Sequence, residues 1–230
     1  SVMCRNCPFL QNPTEKDLSN YVFGLKKKKY SDIYFVAVST WLQSKAKQSS
    51  LVHDVSIIPN TLDTSIFTIQ RKDQARKYYS LPLNKKIILM GAGRLNDPIK
   101  GFCYLRKALS YVDSQQNICL CVFGNIKRDP NFLKDLPVEV IWLHELLTLP
   151  ELSVLYAAAD VTIVPSLYET FGQTLSESLA CGTPVVSFNN SGQTDIIKHK
   201  ENGYLAKWKD SHDLAAGIKD VLNQTFDREQ

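Results

Sequence analysis

The chain has 230 residues, 44% of them hydrophobic and 22% charged, with a net charge of +4. That composition is ordinary for a globular protein, and the length allows one large or two small domains. The charge is too mild to argue for nucleic acid by itself, and no apolar run approaches the ~18 residues that a membrane-spanning helix needs.

The opening residues SVMCRNCPFL read neither as a signal peptide nor as a natural start. Of the six cysteines, Cys4 and Cys7 form a C-x-x-C without a second pair, which is half of a zinc site at most. Cys103, Cys119, Cys121 and Cys181 lie in apolar or helical segments and are expected as buried small hydrophobes. Reduced, cytoplasmic conditions are the corresponding expectation.

Residues 14–30 predict a helix, with Thr14 and Asp17 at its start, an apolar stripe of Leu18, Tyr21, Val22 and Leu25, and a basic end at Lys26 to Lys29. The lysines read either as a contact with anionic lipid or a lipid-linked acceptor, or as a solvated helix end helped by its dipole. Ile33 to Val38 predicts a buried strand, Ser39-Thr40 a cap, Trp41 to about Gln48 a helix, and Val55 to Ile58 a strand stopped by Pro59-Asn60. A basic helix over 71–80 follows, then a strand from Lys86 to Met90 that runs into GAGRLNDPIKG.

That turn begins a G-x-G with Gly91 and Gly93, but Asn96 stands where a dinucleotide fingerprint needs glycine. Asp113 falls at a helix end rather than a strand end, so NAD is disfavoured. Arg94 and Lys100 flank the turn, a planar fork and a point charge of the kind a diphosphate needs, although two surface cations around a loop would look the same.

A helix over Phe102 to Tyr111, a strand over Ile118 to Phe123 ending at Gly124, a strand over Val138 to Trp142 and a helix over Leu149 to Ala158 come next. His144 follows the second of these strands, either beside the base of a nucleotide or as a loop histidine without chemical duty. This alternation is the pattern of a Rossmann-like, doubly wound parallel sheet, an α/β fold.

Residues 160–184 read DVTIVPSLYETFGQTLSESLACGTP. Val161 to Val164 is long enough for one buried strand, Pro165-Ser166 ends it, and a helix runs from Gln173 to Ala180 before Gly182 and Pro184 close it. Glu169 therefore sits where a strand ends and a helix N-terminus points. Glu177 follows with seven residues between. By periodicity Glu177 is a solvated glutamate, since the helix's apolar stripe is Phe171, Leu175 and Leu179. Glu169 alone could be a charge favoured by the helix dipole. Further on come a strand from Pro184 to Phe188, a short helix opened by Ser191 to Asp195, a turn at Asn202-Gly203, a strand from Tyr204 to Ala206 and a helix from Asp213 to Leu222.

The two glutamates inside PSLYETFGQTLSESLACGTPVV, with the preceding AAAD and the later NGYL, resemble the E-x7-E signature of retaining GT-B glycosyltransferases, above all family 4. Earlier segments match too: Ser39 to Leu42, Ile58 to Asn60, Asp63, Phe67 and the GRL…KG turn, with Thr61 where the family usually has glycine. The resemblance implies that residues 1–58 are the tail of an N-terminal, acceptor-side domain and that 59–230 form the C-terminal nucleotide-sugar-binding domain of the GT-B fold. A longer parent chain is expected, in which Cys4, Cys7 and Pro8 end a cysteine-rich loop.

The resemblance also implies the chemistry. Arg94 and Lys100 would stabilise the leaving diphosphate in place of a metal, Glu169 would sit by the donor sugar, and Glu177 would accept hydrogen bonds from the ribose hydroxyls. Gly93, Gly124, His144, Phe171, Gly172, Gln173 and Thr174 complete the expected donor site. No metal or other cofactor is expected, and configuration at the anomeric carbon would be retained. The acceptor would be a glycan or lipid-linked saccharide, as in polysaccharide biosynthesis, met at the inner face of a membrane, and this chain by itself would transfer little sugar. A GT-B epimerase and a non-catalytic assembly module are the alternatives; a phosphorylase would need a lysine in a pyridoxal-phosphate context that is not found.

Overall fold

In the computed structural model, which describes residues 18–30, 33–49, 51–52, 54–112, 117–143 and 147–224, the chain divides into two compact units at Asn60/Thr61. The first unit holds α1 (Ser19–Lys29), β1 (Phe35–Ala37), α2 (Thr40–Lys47) and β2 (Val55–Ile57). Here β1 and β2 pair in parallel. Ser39 caps α2, its hydroxyl accepting from the Leu42 N–H at 3.1 Å. The expected buried strand over 33–38 is corrected: only Phe35–Ala37 is strand, and Ile33, Tyr34 and Val36 are exposed, Tyr34 by 71%. The reason is that a two-stranded parallel sheet leaves one apolar face uncovered. Helix α1 has no side-chain cap, and its Leu18, Tyr21, Val22 and Leu25 are exposed. Its expected start at Thr14 and Asp17 lies outside the described residues, as do Cys4 and Cys7.

The second unit contains α3 (Lys72–Tyr78), β3 (Lys86–Arg94), α4 (Phe102–Leu109), β4 (Ile118–Asn125), β5 (Glu139–Leu143), α5 (Leu149–Ala158), β6 (Val161–Val164), α6 (Gln173–Ala180), β7 (Val185–Phe188), β8 (Gly203–Ala206) and α7 (Ser211–Asn223). Its six strands are parallel and ordered β5-β4-β3-β6-β7-β8. Alternation along β3 loads both faces of the sheet. Ile88 and Met90 pack with Leu105 and Leu109 of α4 and Leu214 and Ile218 of α7. Ile87 and Leu89 pack on the opposite side with Ala75 of α3 and Leu155 and Tyr156 of α5. The result is a doubly wound α/β sheet.

Strand order reverses between β3 and β6, which pair through Ile88–Val161 and Leu89–Thr162. In such sheets the crevice beyond the carboxyl ends of the two strands at the reversal is where ligands bind. An ion cluster secures these strands at their amino ends. Asp160 accepts from Arg76 at 2.6 Å, Lys72 at 2.5 Å and the Ile87 N–H at 2.7 Å. Burial alone would raise its carboxyl pKa, but Lys72, the Ile87 N–H and Arg76 together hold it below the ordinary value.

Cys119, Cys121 and Cys181 are buried, and burial pushes the Cys119 and Cys121 thiols up to about 11 and about 12. Cys103 is exposed, contrary to expectation. It is the second residue of α4, whose buried face is Phe102, Leu105, Ala108 and Leu109, so its side chain falls on the outer face.

Candidate functional site

Three loops meet where β3 and β6 end. The first follows β3. Arg94 closes the strand half-exposed, with its guanidinium 4.0 Å from the Asp97 carboxylate. Asp97 then starts a 3-10 turn over Pro98–Lys100 by accepting from the Ile99 N–H at 3.0 Å. Gly101 ends the turn in the left-handed region (φ 69°), and a Cβ there would lie 1.9 Å from the Pro165 carbonyl oxygen. Only glycine allows this approach. It brings the β3 loop against the β6 loop, and the Leu167 N–H donates to the Ile99 carbonyl at 2.8 Å.

The second loop follows β6 and carries Glu169. Its carboxylate meets the Lys100 ammonium at 2.8 Å, with both groups partly shielded. Two of the sequence-predicted residues are thus in direct contact across the point of reversal. The third loop, after β7, clamps the second. The Ser191 hydroxyl accepts from the Glu169 N–H at 2.9 Å and donates to Gln193 at 2.6 Å. The Gly192 N–H donates to the Glu169 carbonyl at 2.9 Å, and the Asn190 amide donates to the Leu167 carbonyl at 2.6 Å. Gln193 also donates to the Ser166 carbonyl at 3.3 Å. Sequence reasoning placed a short helix at Ser191 to Asp195, but carried no signal for this clamp, whose partners lie more than twenty residues away in the chain.

Gly124, the next-to-last residue of β4, has φ 111°, and a Cβ there would lie 1.8 Å from the Ala92 carbonyl oxygen. Strand β4 therefore passes close beside the β3 turn, and Gly93 is exposed there. Asn96, which breaks the dinucleotide fingerprint, instead ties this turn to the segment after β4. Its amide donates to the Lys127 carbonyl at 2.6 Å and accepts from the Lys127 N–H at 3.2 Å. His144 lies outside the described residues.

Helix α6 starts after Gly172 with no side-chain cap and no acid in its first turn. Its leading N–H groups, at Gln173 and Thr174, are at the positive end of the helix dipole. Phe171 is buried rather than displayed. Glu177, which periodicity places in solvent, is only 9% exposed. It faces α5, and its carboxylate accepts from the Tyr156 hydroxyl at 2.8 Å. The helix packs Leu175 toward Val164, Val185 and Ile197 while turning Glu177 toward α5, so it has two covered sides, and a single apolar stripe does not describe it. Burial raises the Glu177 pKa, the Tyr156 hydrogen bond opposing it. Burial, followed by the Glu177 charge, pushes the Tyr156 phenol well above its ordinary value, so it stays a donor.

Such an edge offers two cations, Arg94 beside Asp97 and Lys100 beside Glu169, together with the leading N–H groups of α6, whose Glu177 lies in the α5–α6 seam. It suits a ligand with an anionic centre and hydroxyls on either side. Among the described residues no cluster of three or more histidine, cysteine, aspartate or glutamate side chains could hold a metal ion.

The family model for glycosyl transferases group 1 matches residues 71–230. A D-inositol 3-phosphate glycosyltransferase of Thermobispora bispora is 31% identical over 183 residues, covering 74% of this chain and 42% of the relative. The chain thus spans less than half the length of that curated relative. Among solved structures, a sucrose-phosphate synthase of Thermosynechococcus elongatus superposes with a TM-score of 0.75 at 24% identity, covering 92% of this chain and 55% of that one. An Anabaena protein in complex with UDP-glucose superposes at 0.68 and 21% identity, covering 83% and 54%. Both neighbours share the fold.

Proposed function

Because this chain belongs to the glycosyl transferases of group 1, we propose that residues 59–230 bind the nucleotide-sugar donor of a retaining, metal-independent glycosyltransferase. In the same reading, residues 1–58 are the tail of its acceptor-side domain. The observation that carries this proposal is the pair of glutamates: one sits at the strand reversal on Lys100, the other is buried beside Tyr156. Buried acids without a cation are uncommon in a purely structural helix, whereas ribose hydroxyls, which donate two hydrogen bonds, fit an ionised acid there. The Anabaena neighbour's UDP-glucose supports a donor of that class.

Transfer breaks the bond between the anomeric carbon and the diphosphate oxygen. Charge grows on that oxygen as it leaves, and Arg94 and Lys100 are the groups that balance it. The N–H groups at the start of α6 hold hydroxyl or phosphate oxygens. Glu169 lies by the donor sugar, where its charge also keeps the Lys100 ammonium in position before the diphosphate arrives. The new bond forms on the face the diphosphate left, to a hydroxyl of a saccharide or lipid-linked acceptor, and the hydroxyl proton is released. The four lysines closing α1 (Lys26 to Lys29) and that helix's exposed apolar residues support contact with an anionic membrane face. A cytoplasmic location and a role in glycan assembly belong to this reading, as does little turnover by this chain alone.

Thermal unfolding with UDP, GDP or ADP tests it. A nucleotide at a hundred times its Kd is expected to add about 2.7 kcal/mol, and Glu177→Ala should abolish the gain. No stabilisation by any of the three at millimolar concentration, or a gain that survives the substitution, contradicts the proposal.

A further inference from the structure

Beside the Lys100–Glu169 pair the same edge displays two aromatic rings. Tyr168, the residue before Glu169, is 47% exposed, and Trp208, in the loop between β8 and α7, is 43% exposed. Their centroids are 6.0 Å apart and the ring planes are inclined by 58°, which makes an open corner. The corner is fastened to the site: the Trp208 indole N–H donates at 3.3 Å to the Leu167 carbonyl, which also takes the Asn190 amide. Lys209 adopts a left-handed backbone (φ 61°), and its ammonium stands 4.3 Å from the indole centroid. The loop is held in that shape from below, where Asp213 accepts from the Lys207 N–H at 2.7 Å and from Tyr204 at 3.0 Å.

Exposed aromatic faces carry negative partial charge, and the C–H groups of a sugar ring carry positive partial charge. With the ammonium lying over the indole, the aromatic surface left exposed at the corner matches a pyranose ring, C–H face on the aromatics and hydroxyls on the lysine. We infer that Tyr168, Trp208 and Lys209 form a saccharide subsite next to the reacting centre. The ring it takes belongs either to the donor or to the acceptor glycan, an assignment that rests on the donor-site reading above.

Fluorescently labelled chain on arrayed oligosaccharides tests the acceptor source, and thermal stabilisation by UDP-glucose against UDP tests the donor source. If the acceptor sits here, the array retains the chain, and Trp208→Ala and Tyr168→Ala each weaken retention at least about tenfold while Trp208→Phe keeps it. If the donor sugar sits here, UDP-glucose stabilises more than UDP, and Trp208→Ala removes that difference. No retained glycan together with no Trp208-dependent difference overturns the inference, as does retention unchanged in both alanine variants. Trp208-dependent glycan retention without Glu177-dependent nucleotide stabilisation would leave the subsite standing and sink the donor reading.

Discussion

Glu177 is the residue at which position in the chain and position in space disagree most. Its helix period points it to solvent, yet it lies in the α5–α6 seam with Tyr156 as its partner. Because burial raises its pKa in the folded state, its contribution to stability is fully present below the unfolded value of about 4.3 and is lost as pH rises through the folded value. Glu177→Gln keeps an acceptor for Tyr156 and removes the charge. The variant should therefore unfold at a higher temperature than the parent at pH 7 and lose that advantage in acid, while no longer responding to nucleotide. Melting curves from pH 4 to 8 check this; equal stability of both proteins at pH 7 contradicts it. Lys100 has the opposite character, a partly exposed cation whose present partner is Glu169. Lys100→Met should weaken nucleoside diphosphate binding about ten- to hundredfold, the size of one hydrogen bond to a charged group, and calorimetric titration reads it directly.

Elements set these side chains in place through backbone constraints. Gly101→Ala would put a methyl against the Pro165 carbonyl and force a left-handed alanine. A loss of about 1–3 kcal/mol is expected, together with weaker nucleotide binding as the Lys100 turn is displaced from the Glu169 loop; unfolding in urea with and without nucleotide separates the two effects. Beneath the strands, Asp160 ties α3 to β3 and β6. Asp160→Asn leaves Arg76 buried without its carboxylate, at a cost of about 3–5 kcal/mol. The pairing also lowers the Asp160 pKa, so the parent loses this contribution as pH falls below about 4, and the variant should lack that acid-dependent step. Strands and helices of this unit were largely legible: α5 has the expected bounds, and β6 and α6 have those their punctuation gives, because Pro165-Ser166 and Gly182-Pro184 leave the chain few options. Cys103 was misread, since its segment is apolar in sum while its own position is on the outer face of α4. The clamp of Asn190, Ser191 and Gln193 was illegible, because it joins two loops by hydrogen bonds that leave no periodic trace.

At the scale of the whole molecule, a six-stranded sheet brings the ends of β3 and β6 side by side. Lys100 and Glu169 meet there, and in the proposed donor-site reading Arg94 and Glu177 serve the same crevice, which would let a sequence pattern spread over eighty-odd positions describe a single site. Hydrogen–deuterium exchange with and without nucleoside diphosphate tests that account most directly. Slowed exchange is expected together at the β3 turn over 93–101, the Glu169 loop over 166–172 and the first turn of α6, and it should vanish in Glu177→Ala. Protection confined to other segments, or a pattern unchanged by that substitution, would contradict a donor site at the strand reversal.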